Sequence, residues 1–167
     1  NLAPNPWAVN EIVNWLMGSL ADRSMDEVKL ATPFIVVGLA IIYTTRRALD
    51  GLTLGEMGAQ SLGFDLRRVR ALIALGVALA VGASVAVSGV IGFVGLMAPH
   101  LMRPFAGSRP GALLIPSALG GAILVLAADI LVRLTPSAAE VKLGVAMGAL
   151  GGPFFLMLLI SLGRRLS

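Results

Sequence analysis

SGVIGFVGLMAPHLMRPFAG, residues 88–107, is apolar enough to lie within a bilayer and yet is crowded with residues that weaken a helix. Gly89, Gly92 and Gly95 recur at three-residue spacing. On a helix that spacing puts them on one face. A face of glycines lets a second backbone approach closely, which is a common basis of helix association in lipid. Near the end of the run Pro99 removes a backbone donor and His100 adds a polar ring. Arg103 follows as a charge that reaches the headgroups. Such a segment belongs in a bundle of membrane helices, where neighbours satisfy the freed backbone groups. It is no simple anchor.

The rest of the chain agrees. Of its 167 residues 57% are hydrophobic and only 13% are charged, and the mean hydropathy is +0.89. A soluble domain carries about 25% charged residues. The net charge of +4 and the pI of about 10.7 come from basic residues that flank apolar runs, a product of membrane topology and not a sign of nucleic acid. With no cysteine and one histidine, the chain offers no disulfide, no thiolate site and no polyhistidine site. No metal and no cofactor is expected.

Working outward, Ala71–Met102 contains no Asp, Glu, Lys or Arg. As one straight helix it would measure about 48 Å, too long for a single crossing. Ser88-Gly89 is the natural break, giving spans near Ala71–Val87 and Val90–Phe105. Upstream, Leu30–Thr45 is uncharged and covers about 24 Å, with Lys29 and Arg46 placed to snorkel at its ends. Downstream, Ala112–Ala128 is a span that ends at Asp129 and Arg133. Leu143–Gly163 is the last, interrupted at Gly151-Gly152-Pro153 so that Pro153 begins the helix proper. Trp7–Leu20, with Trp7 and Trp15, reads as a short helix at the membrane interface. The expected fold is therefore an all-α integral membrane protein of about five transmembrane helices.

Arg46–Arg70, RRALDGLTLGEMGAQSLGFDLRRVR, is polar, too long for a tight turn and too apolar for a disordered linker. Leu49, Leu52, Leu54, Met57 and Leu62 can form one face of two short helices, broken at Gly51, Gly55 and Gly63. If the spans alternate sides, one side receives Arg46, Arg47, Arg67, Arg68, Arg70, Arg103, Arg109, Arg164 and Arg165. The other receives Arg23, Lys29, Arg133 and Lys142. The positive-inside rule puts the richer side, and with it Arg46–Arg70 and the C-terminus, in the cytoplasm.

Catalysis finds little support. Ser88 and His100 are the one nucleophile and base worth naming, and a span separates them with no carboxylate to orient the histidine. No G-x-x-x-x-G-K-[ST] loop is present, so any ATP hydrolysis belongs to another chain. An ion-coupled carrier or a channel is the competing class. It needs a carboxylate within a span, and every acidic residue here lies in a loop or at a span end.

SGVIGFVGLMAPHLMR resembles the G-x-I-G-F-x-G-L-x-x-P-H-x-x-R signature of the FecCD-type permeases, the membrane subunits of importers for iron-siderophores, haem and cobalamin. Further stretches carry the same resemblance: LGE with AQSLG at residues 54–63, AADILVR ending at Arg133, AEVKLG around Lys142, and LGGPFFLMLLI across Pro153. NPWAVNEIVNWLMGSL is similar to a periplasmic helix of the family.

The resemblance implies that the chain corresponds to the C-terminal half of a subunit of about ten spans, in a bacterial inner membrane. It implies as partners an ATP-binding subunit, a periplasmic binding protein and a second permease copy. It further implies that Gly55 makes a sharp turn in a cytoplasmic coupling loop. There Glu56 would be a polar contact, Ala59, Leu62 and Gly63 would form the close-packed surface, and Leu54 would be a further coupling residue. By the same resemblance Arg133 meets acidic residues of the binding protein. Gly89, Gly92, Gly95, Pro99 and Pro153 are the expected packing and gating positions.

Overall fold

A computed structural model of the chain describes residues 12, 16–21, 23–134 and 142–166, with the backbone alone at 159 and 161–166. Among these residues every regular element is helical: α1 Met25–Thr44, α2 Arg46–Gly51, a 3₁₀ turn Leu52–Leu54, α3 Gly55–Ser61, α4 Leu66–Ser88, α5 Val94–Ala106, α6 Pro110–Leu134 and α7 Leu143–Leu166. The interfacial helix expected over Trp7–Leu20 and the link around Glu140 fall largely outside the described residues, as do the side chains of Arg164 and Arg165.

The helices begin where the sequence supplies acceptors. Ser24 and Glu27 form a capping box at the start of α1, Glu27 N–H donating to Ser24 Oγ at 3.3 Å and Ser24 N–H to Glu27 Oε2 at 2.8 Å. Asp65 caps α4, its Oδ1 accepting from the amides of Arg67 and Arg68 at 3.0 and 3.2 Å.

Burial is inverted relative to a protein folded in water. The buried apolar set is mostly small, including Ala31, Ala48, Ala59, Ala80, Ala98 and Ala128. Large apolar side chains such as Ile115, Leu119, Ile123 and Leu126 on α6 stand more than half exposed. Helices packed through small residues with their large aliphatics turned outward are the arrangement lipid allows.

The contacts show how close the approach is. α1 and α4 run antiparallel and meet at Gly38 and Gly76. A Cβ at Gly38 would stand 2.6 Å from the Gly76 carbonyl oxygen and 2.7 Å from Ala80 N. α5 packs on α6 with Met102 over Gly120, and Val94 and Ala98 over Gly121. Ala128, Leu143 and Met147 form a buried cluster between α6 and α7, with Leu20, Ile91 and Val94 packed around it.

By length and composition α4 and α6 can each cross a membrane, and a third crossing is obtained if α1 is joined to the Arg46–Ser61 segment, bent from it by 44°. Leu143–Leu158 forms a shorter apolar helix. The expected span Val90–Phe105 is only in part helical. α5 has 13 residues, about 20 Å, and the chain from Gly89 to Phe93 is not helical.

Three expectations are corrected here. Gly89, Gly92 and Gly95 share no helix face: Gly89 ends α4 at φ 70°, Gly92 lies in the non-helical link and Gly95 is in α5. A Cβ at Gly92 or Gly95 would meet nothing within 4 Å, whereas one at Gly38, Gly76 or Gly120 would collide with the neighbouring helix. The last helix is not interrupted at Gly151-Gly152-Pro153. Pro153 lies inside α7, where a missing donor is tolerated in a membrane helix.

Candidate functional site

The polar segment between α1 and α4 folds into a compact knuckle. Thr45, 3% exposed, donates its hydroxyl to the Ile42 carbonyl at 2.7 Å as the chain leaves α1. α2 carries it to the 3₁₀ turn, and at Gly55 the backbone adopts φ 84°, ψ 166°. That region is open to glycine and essentially to no other residue. A Cβ at Gly55 would touch nothing within 4 Å, so the requirement for glycine is conformational and not steric. Gly63, at φ 85°, turns the chain again, and Phe64 N–H returns to the Ala59 carbonyl at 3.2 Å. Phe64 packs its ring edge on Gly51.

The side chains of the knuckle, Met57 and the predicted coupling residues among them, differ in exposure. Leu54, Met57 and Leu62 are 70%, 83% and 59% exposed, an apolar surface that no other part of the described chain covers. Ala59 is fully buried within the knuckle, its carbonyl accepting from Phe64 N–H. Glu56, expected to face a partner, holds an internal partner. Its Oε1 accepts from Arg70 Nη2 at 2.5 Å, across the gap between α3 and α4.

The knuckle is fastened to α6. Gly111 N–H donates to Asp50 Oδ1 at 2.7 Å, a bond between residues 61 positions apart. Beside it Arg47, Leu54, Leu62, Phe64 and Arg109 line an open groove of about 480 Å³. Sequence reading missed Asp50 and Gly111. The available signal was at the start of α6: Pro110 opens the helix and the residue before it is Arg109, which cannot accept from the first amides, so the cap has to come from elsewhere.

At the opposite end Arg133 Nε donates to Asp129 Oδ2 at 2.8 Å, an i,i+4 pair with the arginine side chain 59% exposed. Two more segments meet at that end through backbone bonds, Ser19 N–H to the Ser88 carbonyl at 2.7 Å and Gly144 N–H to the Gly18 carbonyl at 3.2 Å. His100 in α5 meets Phe154 in α7 edge to face, with ring centroids 5.6 Å apart. Pro99 lies beside it within α5. Among the described residues no group of three or more His, Cys, Asp and Glu is placed to hold a metal ion.

Antiparallel apolar helices joined through glycine and alanine, one broken helix pair and a folded polar knuckle at one end define a polytopic helical membrane protein. The chain belongs to the FecCD transport family, which it matches over residues 1–161. It is 43% identical to the vitamin B12 import system permease protein BtuC of Vibrio cholerae, over 91% of this chain and 46% of the relative. It is also 43% identical to the Fe(3+)-citrate import system permease protein YfmE of Bacillus subtilis, over 92% and 46%, and 40% identical to the hemin transport system permease protein HmuU of Yersinia pestis, over 87% and 44%. The chain thus spans about half the length of the curated relatives it matches. A solved structure, an inward-facing conformation of an ABC transporter assigned to the metal-chelate type, superposes with a TM-score of 0.86 at 30% identity, covering 95% of this chain and 53% of that one.

Proposed function

We propose that the chain is the C-terminal half of the permease subunit of a binding-protein-dependent ABC importer, and that Arg46–Arg70 is the segment that docks on the ATP-binding subunit. The observation that carries the reading is the exposed apolar surface of Leu54, Met57 and Leu62. It stands on a knuckle whose shape depends on Gly55 at φ 84° and Gly63 at φ 85°. An exposed apolar patch on a rigid, charged knuckle is a surface built for a partner.

Three relatives are named for import or transport of vitamin B12, Fe(3+)-citrate and hemin. The cargo of this chain is accordingly a bulky chelate: a ferric chelate, haem or a cobalamin. The permease works as a pair in the bacterial inner membrane, with the knuckle and the C-terminus in the cytoplasm, where the positive-inside rule puts them. Arg133 faces the periplasm and receives an acidic residue of the binding protein. The subunit is not itself an enzyme. Hydrolysis occurs on the ATP-binding subunit, and the movement of the knuckle alternates access to the two sides by rigid-body shifts of packed helices.

The test is co-purification of the full-length permease with its ATP-binding subunit. Gly55→Pro and Glu56→Arg are expected to release the subunit that wild type retains. A wild-type permease that retains no ATP-binding subunit defeats the reading.

A further inference from the structure

The Asp50–Gly111 bond links a side chain of the knuckle to α6, a helix that the knuckle does not adjoin in sequence. Three features show it to be built for that purpose. First, α6 begins at Pro110, so Gly111 carries the first amide proton of the helix, and Asp50 meets it at 2.7 Å. A carboxylate there also faces the positive end of the helix dipole. Second, the approach is possible only at glycine. A Cβ on Gly111 would stand 2.5 Å from the Arg46 carbonyl oxygen and 2.8 Å from Asp50 Oδ2, so both the backbone of α2 and the carboxylate need its absence. Third, Asp50 is on α2, two residues before the 3₁₀ turn that carries exposed Leu54. A displacement of the exposed surface reaches Asp50 through five residues of short helix.

Resting on the coupling role proposed above for Arg46–Arg70, we propose that Asp50 is the positioning residue that transmits movement of the knuckle to α6, by holding the first amide of that helix. Through α6 the movement reaches α5, which packs on it at Gly120 and Gly121. The link is a hydrogen bond from an amide to an oxygen, and it requires an acceptor at position 50 more than a charge.

The experiment uses the full-length permease in lipid nanodiscs, with spin labels on cysteines introduced at Met57 and Leu119, both exposed and on α3 and α6. The distance between the labels is measured, and the amount of chelate moved per ATP hydrolysed is measured on the unlabelled permease with its ATP-binding subunit. Asp50→Ala is expected to broaden the distance distribution and to lower the transport-to-hydrolysis ratio by about fivefold or more, the size of an ordinary coupling between sites. Asp50→Asn, which keeps an acceptor oxygen, is expected to preserve both. If Asp50→Ala does not reach the membrane, Gly111→Ala makes the same test by displacing the carboxylate.

A wild-type distance distribution in Asp50→Ala overturns the proposal, and so does a broadened one with an unchanged ratio. A wild type that binds no ATP-binding subunit overturns the coupling reading and the transmitting role with it. That failure is seen before any variant is compared.

Discussion

The ring of Phe93 fills the space that a side chain at Gly151 would need. Phe93 is the non-glycine residue with positive φ among those described, at 65°, and it heads α5 without a capping side chain. An outlier of this kind costs about 1–3 kcal/mol and survives only where its surroundings hold it. Here the surroundings are the bare backbone of α7. Gly151→Ala is expected to destabilise the full-length permease by about 1–3 kcal/mol, as overpacking of a tight site does. Thermal unfolding in detergent measures it, and an unchanged midpoint would remove Phe93 from the α5–α7 contact.

The α1–α4 contact gives a matched pair of substitutions. Gly38→Ala puts a methyl 2.6 Å from the Gly76 carbonyl oxygen, whereas Gly82→Ala on the same pair of helices meets nothing within 4 Å. The first is expected to cost about 1–3 kcal/mol and the second to be neutral or slightly stabilising, since alanine is the better helix former. Equal effects in a detergent melt would mean that α1 and α4 do not pack backbone to backbone.

Glu56 and Arg70 are both 65% exposed on their side chains and lie 2.5 Å apart. A pair so open to solvent contributes about 0–1 kcal/mol to stability, so neither Glu56→Arg nor Arg70→Glu should unfold the protein. The pair ties α3 to α4. The double exchange, Glu56→Arg with Arg70→Glu, is expected to recover the association with the ATP-binding subunit that Glu56→Arg alone loses. Failure of the exchange to recover it would assign the Glu56 carboxylate to the partner and not to Arg70.

Arg133 is bound to Asp129 and is still 59% exposed on its side chain. Arg133→Glu is expected to weaken binding of the periplasmic protein by about tenfold at low salt, with the difference shrinking as ionic strength rises. Asp129→Asn frees the guanidinium and is expected to leave binding intact. Surface plasmon resonance on nanodiscs at two salt concentrations decides it, and an affinity of Arg133→Glu equal to wild type at low salt would exclude a docking role.

Helical membrane character was legible because it follows from composition. Few charges and long apolar runs leave no other fold for Ala71–Met102 or Ala112–Ala128. The break at Ser88-Gly89 was legible for the same reason, as an uncharged run too long for one crossing. What packs against what was not legible. Gly89, Gly92 and Gly95 have the spacing of a packing face, but spacing counts only along a helix, and the chain leaves the helix at Gly89. Gly38 and Gly76 are 38 positions apart and carry no motif, so only the tertiary fold reveals that they meet.

At the candidate site, Gly55 and Gly63 were found because a needed backbone turn leaves a glycine in the sequence. That Ala59 is buried while Met57 is exposed was not legible, because a short helix has two sides and its sequence does not say which one is covered. Asp50 was missed because its partner is an amide, which every residue but proline has.

The two ends of α6 are fastened differently. Toward Leu134, Ala128 of α6 is buried against Leu143 and Met147, beside the main-chain bonds that join Ser19 to Ser88 and Gly144 to Gly18. Near Pro110 the helix is held by the carboxylate of Asp50. A tight aliphatic wedge suits a fulcrum, and an end held by a carboxylate and one close backbone contact suits a handle. α6 is 25 residues long, about 37 Å, so a tilt of only about 5° at the fulcrum swings the handle by about 3 Å. A rod of this length would turn a small rotation into a stroke about as wide as a water molecule, with no bond in its shaft needing to break.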